Sequence, residues 1–171
     1  MNLRFGLRES DVLRREDGII SWLGFRPHMT GKELSGLFSE GISGSYVDPA
    51  KVLTQLAVDE LVKRGLVRET VTTTPGGLSF CAFNLIDPSA VNRINPETVE
   101  LAPRELVLLR FMDIRRGEAH TATRLEERLD LHRAPDSWRT QACLSHLASL
   151  GLVHAAENLS DGYILPPYNQ A

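Results

Sequence analysis

The 171 residues contain only two cysteines, Cys81 and Cys143, and no CxxC pairing. That spacing excludes the usual thiol redox and zinc-ribbon motifs and reads both cysteines as core residues, one in a strand and one on an apolar helix face. His28, His120, His132, His146 and His154 are scattered. Cys143 and His146 lie three apart on one helix but have no further ligands in sequence, so no metal and no cofactor is expected. No apolar run reaches the length of a membrane span. The opening Met1-Asn-Leu-Arg-Phe-Gly lacks the apolar core of a signal peptide. These absences imply a soluble cytoplasmic protein with no membrane partner. A phosphate loop, GxSxG and HExxH are missing as well. Glu126-Glu127 with Asp130 reads as a solvated acidic run, so no catalytic residue is assigned and the chain is not expected to be an enzyme.

Lysine is absent from residues 97–171, which carry eight arginines against eleven acids, while residues 1–96 balance at eleven of each sign. The net charge of −3 therefore arises in the second half. A nucleic-acid binder usually shows a basic face, and this distribution counts against one. With 42% apolar and 24% charged residues the composition is that of a globular protein.

What the chain does contain is a repeat. Asp48 to Leu85 reads as a helix, then Gly65-Leu66-Val67, then two strands joined at Pro75-Gly76-Gly77. Pro135 to Leu165 reads as a helix, then Gly151-Leu152-Val153, then a turn at Ser160-Asp161-Gly162 and a last strand. A shift of 86 relates Gly65 to Gly151, Pro49 to Pro135, Gln55 to Gln141 and Leu61 to Leu147. Two units of about 80 residues each would lie near the lower limit for a self-sufficient apolar core.

Ser10 to Phe25 has the apolar stripe of a first helix (Val12, Leu13, Ile19, Ile20, Trp22, Leu23, Phe25), with Arg14, Arg15, Glu16 and Asp17 in a solvated turn. Pro27 ends it. Thr30-Gly-Lys-Glu33 has the form of a capping box and opens a short helix with Leu34, Leu37 and Phe38 inward. Asp48-Pro49 starts the third helix and Gly65 stops it. Leu66–Thr72 and Leu78–Leu85 are β-rich around the Pro75-Gly-Gly turn. Residues 87–100 read as a linker between domains 1–86 and 101–171. Arg104 to Arg116 forms the next helix, on Leu106, Val107, Leu109, Phe111 and Met112. Thr121-Ala-Thr-Arg-Leu125 then mirrors Thr30 to Leu34 at a shift of 91, five more than 86, as a shorter connection before the last helix would produce.

Three helices followed by a β-hairpin, twice over nearly the whole chain, resemble the winged helix-turn-helix family. The fold class this implies is α+β, mainly helical: two tandem winged-helix domains, each of three helices and a β-hairpin wing. In DNA-binding members of that family the third helix lies in the major groove and the wing touches the flanking backbone.

Helical geometry places Thr54, Ala57, Val58 and Leu61 inward, and Val52, Gln55, Leu56, Asp59 and Lys63 outward. The equivalent outward set on the last helix is Trp138, Gln141, Ala142, Ser145 and Ser149, with Arg139 to one side. If the partner is double-stranded DNA, Gln55 and Gln141 would read bases while Lys51 and Arg139 hold phosphate. The apolar outward residues Val52, Leu56, Val62 and Trp138 point instead to a protein interface. The wings agree with the latter, since Thr72 to Gly77 has no basic residue and Glu157 to Asp161 is acidic. Arg115, Arg116, Arg124, Arg128 and Arg133 are interleaved with Asp113, Glu118, Glu126, Glu127 and Asp130, as in a salt-bridged surface. Two functions follow: a DNA-binding regulatory protein, or a protein–protein interaction module serving as an adaptor subunit. The outward apolar residues also imply a two-fold homodimer.

Overall fold

A computed structural model describes residues 6–39, 49–129 and 140–166. It is α+β, dominated by helices, with small antiparallel sheets. The chain divides into two compact units, 1–101 and 102–171. The first contains α1 (Glu9–Phe25), β1 (Met29–Thr30), α2 (Gly31–Phe38), α3 (Pro49–Lys63), β2 (Val67–Thr73), β3 (Ser79–Leu85) and a 3₁₀ helix (Pro88–Arg93). The second contains α4 (Pro103–Ile114), β4 (His120–Thr121), α5 (Ala122–Leu129), α6 (Thr140–Ser149), β5 (His154–Ala155) and β6 (Gly162–Ile164). The sheets have corresponding strand orders, β1-β3-β2 and β4-β6-β5, and every described pair is antiparallel. No described helix is long and apolar enough to cross a membrane.

The repeat extends to single hydrogen bonds. Gly65 and Gly151 take φ of +77° and +76°, the left-handed region that closes a helix with little strain only for glycine. There the Leu66 N–H donates to the Leu61 carbonyl at 2.9 Å, and the Leu152 N–H to the Leu147 carbonyl at 3.0 Å. At the start of α2 the Thr30 hydroxyl accepts from the Glu33 N–H at 3.1 Å, and Thr121 accepts from the Arg124 N–H at 3.2 Å. Each bond satisfies a helix-end group left without an intrahelical partner. The β2–β3 hairpin forms as its residue pattern predicts, in register from Val67↔Leu85 to Thr73↔Ser79. Its counterpart pairs over two residues only, His154↔Ile164 and Ala155↔Tyr163. Asp48 and Pro135, the expected starts of α3 and its counterpart, both lie outside the described residues.

The inward stripe of α3 is as expected: Thr54, Ala57, Val58 and Leu61 are buried. They meet Ile19, Trp22 and Leu23 of α1 and Leu34, Leu37 and Phe38 of α2 in the core of the first unit. Leu108, Met112, Leu125, Leu144, Leu147 and Val153 form the second core.

Four expectations need correction. Arg15 and Glu16 are not in a solvated turn: both are buried. The Arg15 guanidinium donates to both carboxylate oxygens of Glu100 at 3.0 Å and to the Thr54 hydroxyl at 2.6 Å, and lies 4.4 Å from the centroid of the Phe38 ring. Glu16 pairs with Arg64 at 2.8 Å. Both side chains can be buried because each charge is matched. Residues 87–100 are no free linker, since the 3₁₀ helix packs on α1 and Ile94 and Val99 are buried. A Cβ on Gly24 would overlap Val91, and one on Gly18 would stand 2.8 Å from the Glu100 carbonyl oxygen, so both glycines admit that segment. On α4, Leu106 and Val107 are exposed and Leu108 supplies the core contact. Cys81 is exposed, because the outer half of β3 extends beyond the core; Cys143 is buried as expected, and burial pushes its thiol up to about 12.

Candidate functional site

The outer side of α3 meets one face of the β2–β3 hairpin. Residues directly opposite in an antiparallel pair share a face, so Glu69 with Phe83 and Val71 with Cys81 stand side by side. Together with α3 they enclose a groove of about 380 Å³ lined by Gly31, Gln55, Asp59, Val62, Lys63, Glu69, Cys81 and Phe83. Phe83 and Val62 supply apolar walls and the three charged side chains stand around them. The Gln55 side-chain amide donates to Asp59 at 2.8 Å, as the i, i+4 spacing on one helix face allows. The Cys81 thiol is raised above its ordinary value, chiefly by its hydrogen bond to Glu69.

Lys51 and Gln55 are exposed on α3 and Val62 is partly so, whereas Val52 and Leu56 are half-buried, which shrinks the apolar patch expected there. Gln141 is exposed on α6, but its amide donates to the Tyr163 hydroxyl at 2.9 Å and to the Ser145 hydroxyl at 3.2 Å. Trp138 and Arg139 lie outside the described residues. The structure thus brings Gln55 and Val62 into one groove and leaves Lys51 beyond its lining. The two glutamines share a repeat position yet differ in setting: one is held by a carboxylate of its own helix, the other by hydroxyls of its own helix and of the sheet.

Beyond the groove the hairpin is apolar at its outer end. Val71 is 68% exposed, Leu78 74% and Phe80 37%. Phe80 stands edge-on to His28, whose ring nitrogens contact Thr72 at 3.4 Å and Asn84 at 3.2 Å. In the second unit two of the arginines expected to be salt-bridged are so: Arg116 pairs with Asp113 at 2.7 Å and Arg115 with Glu118 at 3.9 Å, while Arg124 and Arg128 make no ion pair among the described residues. Arg133 lies outside the described residues.

Sequence reading missed the buried polar pairs. His146 Nδ1 lies 2.7 Å from Glu105, both fully buried, and Glu105 also accepts from the Ala102 N–H at 3.0 Å. The available signal was the dipeptide Arg15-Glu16, which recurs as Arg104-Glu105 at a shift of 89. No group of three or more His, Cys, Asp or Glu side chains that could hold a metal occurs among the described residues. Compared with known proteins, the chain matches no family model, no curated protein and no solved structure.

Proposed function

We propose that the chain is a non-catalytic, cytoplasmic tandem winged-helix protein whose first unit binds another polypeptide through the outer side of α3 and the β2–β3 hairpin. The winged-helix reading is supported by the twice-repeated order of three helices and a hairpin, by the matched strand orders and by the paired helix closures at Gly65 and Gly151. The observation that carries the partner class is the chemistry of the hairpin. It exposes Val71, Leu78 and Phe80, and Arg68 is the single basic residue between positions 67 and 85. A DNA-binding wing draws its affinity from phosphate neutralisation by several cations. Exposed apolar residues grouped on one element instead mark a protein contact. An adaptor role within a larger assembly fits this surface.

A second reading, a DNA-binding regulatory protein, is favoured by the exposure of Lys51 and Lys63 on α3. Its difficulty lies in Gln55 and Gln141, whose amide nitrogens already donate within the protein. Bidentate readout of adenine needs that nitrogen as well as the oxygen. Retention on random-sequence duplex, followed through a salt titration, separates the two. The polypeptide reading expects no retention at about 50 mM salt, where the non-specific electrostatic term is strong. The DNA reading expects retention that weakens with salt, less steeply in Lys51→Ala or Arg139→Ala. It also expects Gln55→Ala or Gln141→Ala to relax sequence preference at about 1–3 kcal/mol per lost contact. A two-fold homodimer remains part of the proposal, on the exposed apolar residues of both units; a monomer by light scattering at high micromolar concentration would remove it.

A further inference from the structure

We infer that the groove between α3 and the β2–β3 hairpin is a receptor for an arginine side chain of the partner polypeptide. The inference rests on the polypeptide reading above and names the chemistry it would use. Asp59 and Glu69 both line the groove, one from the helix and one from the sheet. Both have neutral neighbours: the Gln55 amide donates to Asp59 at 2.8 Å, and the Cys81 thiol lies beside Glu69. Among the described residues no cation comes within salt-bridge distance of either carboxylate, although Lys63 stands on the same lining. Two carboxylates against one unengaged lysine leave the groove acidic. Its remaining walls, Phe83 and Val62, are apolar and suit the aliphatic stem and flat face of a guanidinium side chain.

The first unit already holds a guanidinium in this manner. Arg15 lies 4.4 Å from the centroid of the Phe38 ring while two of its nitrogens donate to Glu100 at 3.0 Å. The groove offers related ingredients: the exposed carboxylates of Asp59 and Glu69, and Phe83 in its lining, itself largely buried. Arginine suits the site better than lysine because its planar fork can span two acceptors and is more weakly hydrated. A volume of about 380 Å³ is at the small end of ligand sites and fits one side chain rather than a whole peptide. Val71, on the same hairpin face just beyond the groove, would meet an apolar neighbour of that arginine.

The test is a titration of the full ¹⁵N-labelled chain with acetyl-Gly-Arg-Gly-amide, and with the same peptide carrying citrulline, which keeps the shape without the charge. Saturable shifts are expected at the amides of Asp59, Lys63, Glu69 and Cys81 and at the Gln55 side-chain NH₂. Citrulline should bind at least about tenfold more weakly, the equivalent of one modest charged contact. Asp59→Asn combined with Glu69→Gln should weaken arginine binding by about tenfold or more, with the spectrum outside the groove unchanged. Lys63→Gln should strengthen it, and that variant keeps the test open if the double substitution disturbs folding. No response to arginine, an equal response to citrulline or to a lysine peptide, or shifts centred elsewhere would overturn the inference. A chain that is retained on random duplex yet gives the arginine response would lose the polypeptide reading and keep the site. A chain that is not retained and gives no response would lose the site alone.

Discussion

At matched positions of α1 and α4, Glu16 meets Arg64 just past the end of α3, whereas Glu105 meets His146 within the last turn of α6. Arg64 is itself half-exposed, so the first pair keeps a route to water; the second has none. Burial raises the Glu16 carboxyl above its ordinary value, with Arg64 opposing. The helices around α1 and α4 differ in a second respect. Gly18 and Gly24 leave room for the segment 88–101, while the residues at the same shift of 89 are Val107 and Asp113, both exposed. In a third, Met29 fills the core position that His120 occupies in the second unit. One order of elements thus supports two quite different interiors. Helix spacing decides where a buried side chain comes; which partner it finds depends on a residue one turn along another helix.

The sharpest way to break the comparison is to remove the pair that has no access to water. Glu105→Leu takes away the carboxylate that His146 and the Ala102 N–H both contact, and breaking a buried pair in this way costs about 3–5 kcal/mol. Urea unfolding should show that loss, and a smaller one for Glu16→Leu; equal losses would mean that access to water does not distinguish the units.

Next in size, Gly18→Val gives α1 the residue that α4 carries at Val107. Overpacking against the Glu100 backbone and Phe38 should destabilise the protein by about 1–3 kcal/mol. Limited proteolysis should then cut faster within residues 94–101, where Ile94 and Val99 are buried in the parent chain.

His120→Met makes the second core resemble the first, and should stabilise. Neither ring nitrogen of His120 has a hydrogen-bond partner among the described residues, so replacing it should recover roughly 1 kcal/mol. The pH dependence gives an independent check. Burial lowers the His120 pKa, with Glu118 opposing and Arg124, Arg128 and Arg115 adding to the effect. Below the ordinary imidazole value of about 6.5 the unfolded chain therefore binds a proton that the folded chain resists. Stability should fall as the pH drops from there, and His120→Met should flatten that limb. Glu16 has the opposite sign: its raised value makes its contribution greatest at low pH, lost as the pH rises through the folded value. An unchanged acid limb in His120→Met would assign the limb to other groups.

The smallest effect on stability is expected on the hairpin. Val71→Thr changes an exposed β-branched side chain and should alter unfolding by no more than about 0.5 kcal/mol. It should nevertheless weaken binding to a partner that reaches past the groove, which a chip-based affinity measurement would register.

The elements themselves were legible before any coordinates. Periodicity placed α1, α2 and α3, the Thr30 and Thr121 caps were readable, and Gly65, Gly151 and the Pro75-Gly-Gly turn marked where helices and strands stop. These signals are local, each resting on residues within a turn or two of one another. The burial of Arg15, Glu16, Glu105 and His146 was not legible, and neither was the exposure of Cys81, Leu106 and Val107. Arg15 is buried because Glu100, 85 residues away, brings the opposite charge, and Glu105 because His146 does so from 41 residues away. The groove likewise needs Asp59 from a helix and Glu69 with Phe83 from a sheet face to meet in space. Sequence by itself therefore determined which segments become helix or strand and that the order repeats, since both follow from short-range spacing. Which charges are matched inside, and which side chains share a surface, only the tertiary structure decided, because desolvation depends on neighbours that the chain brings together from far apart.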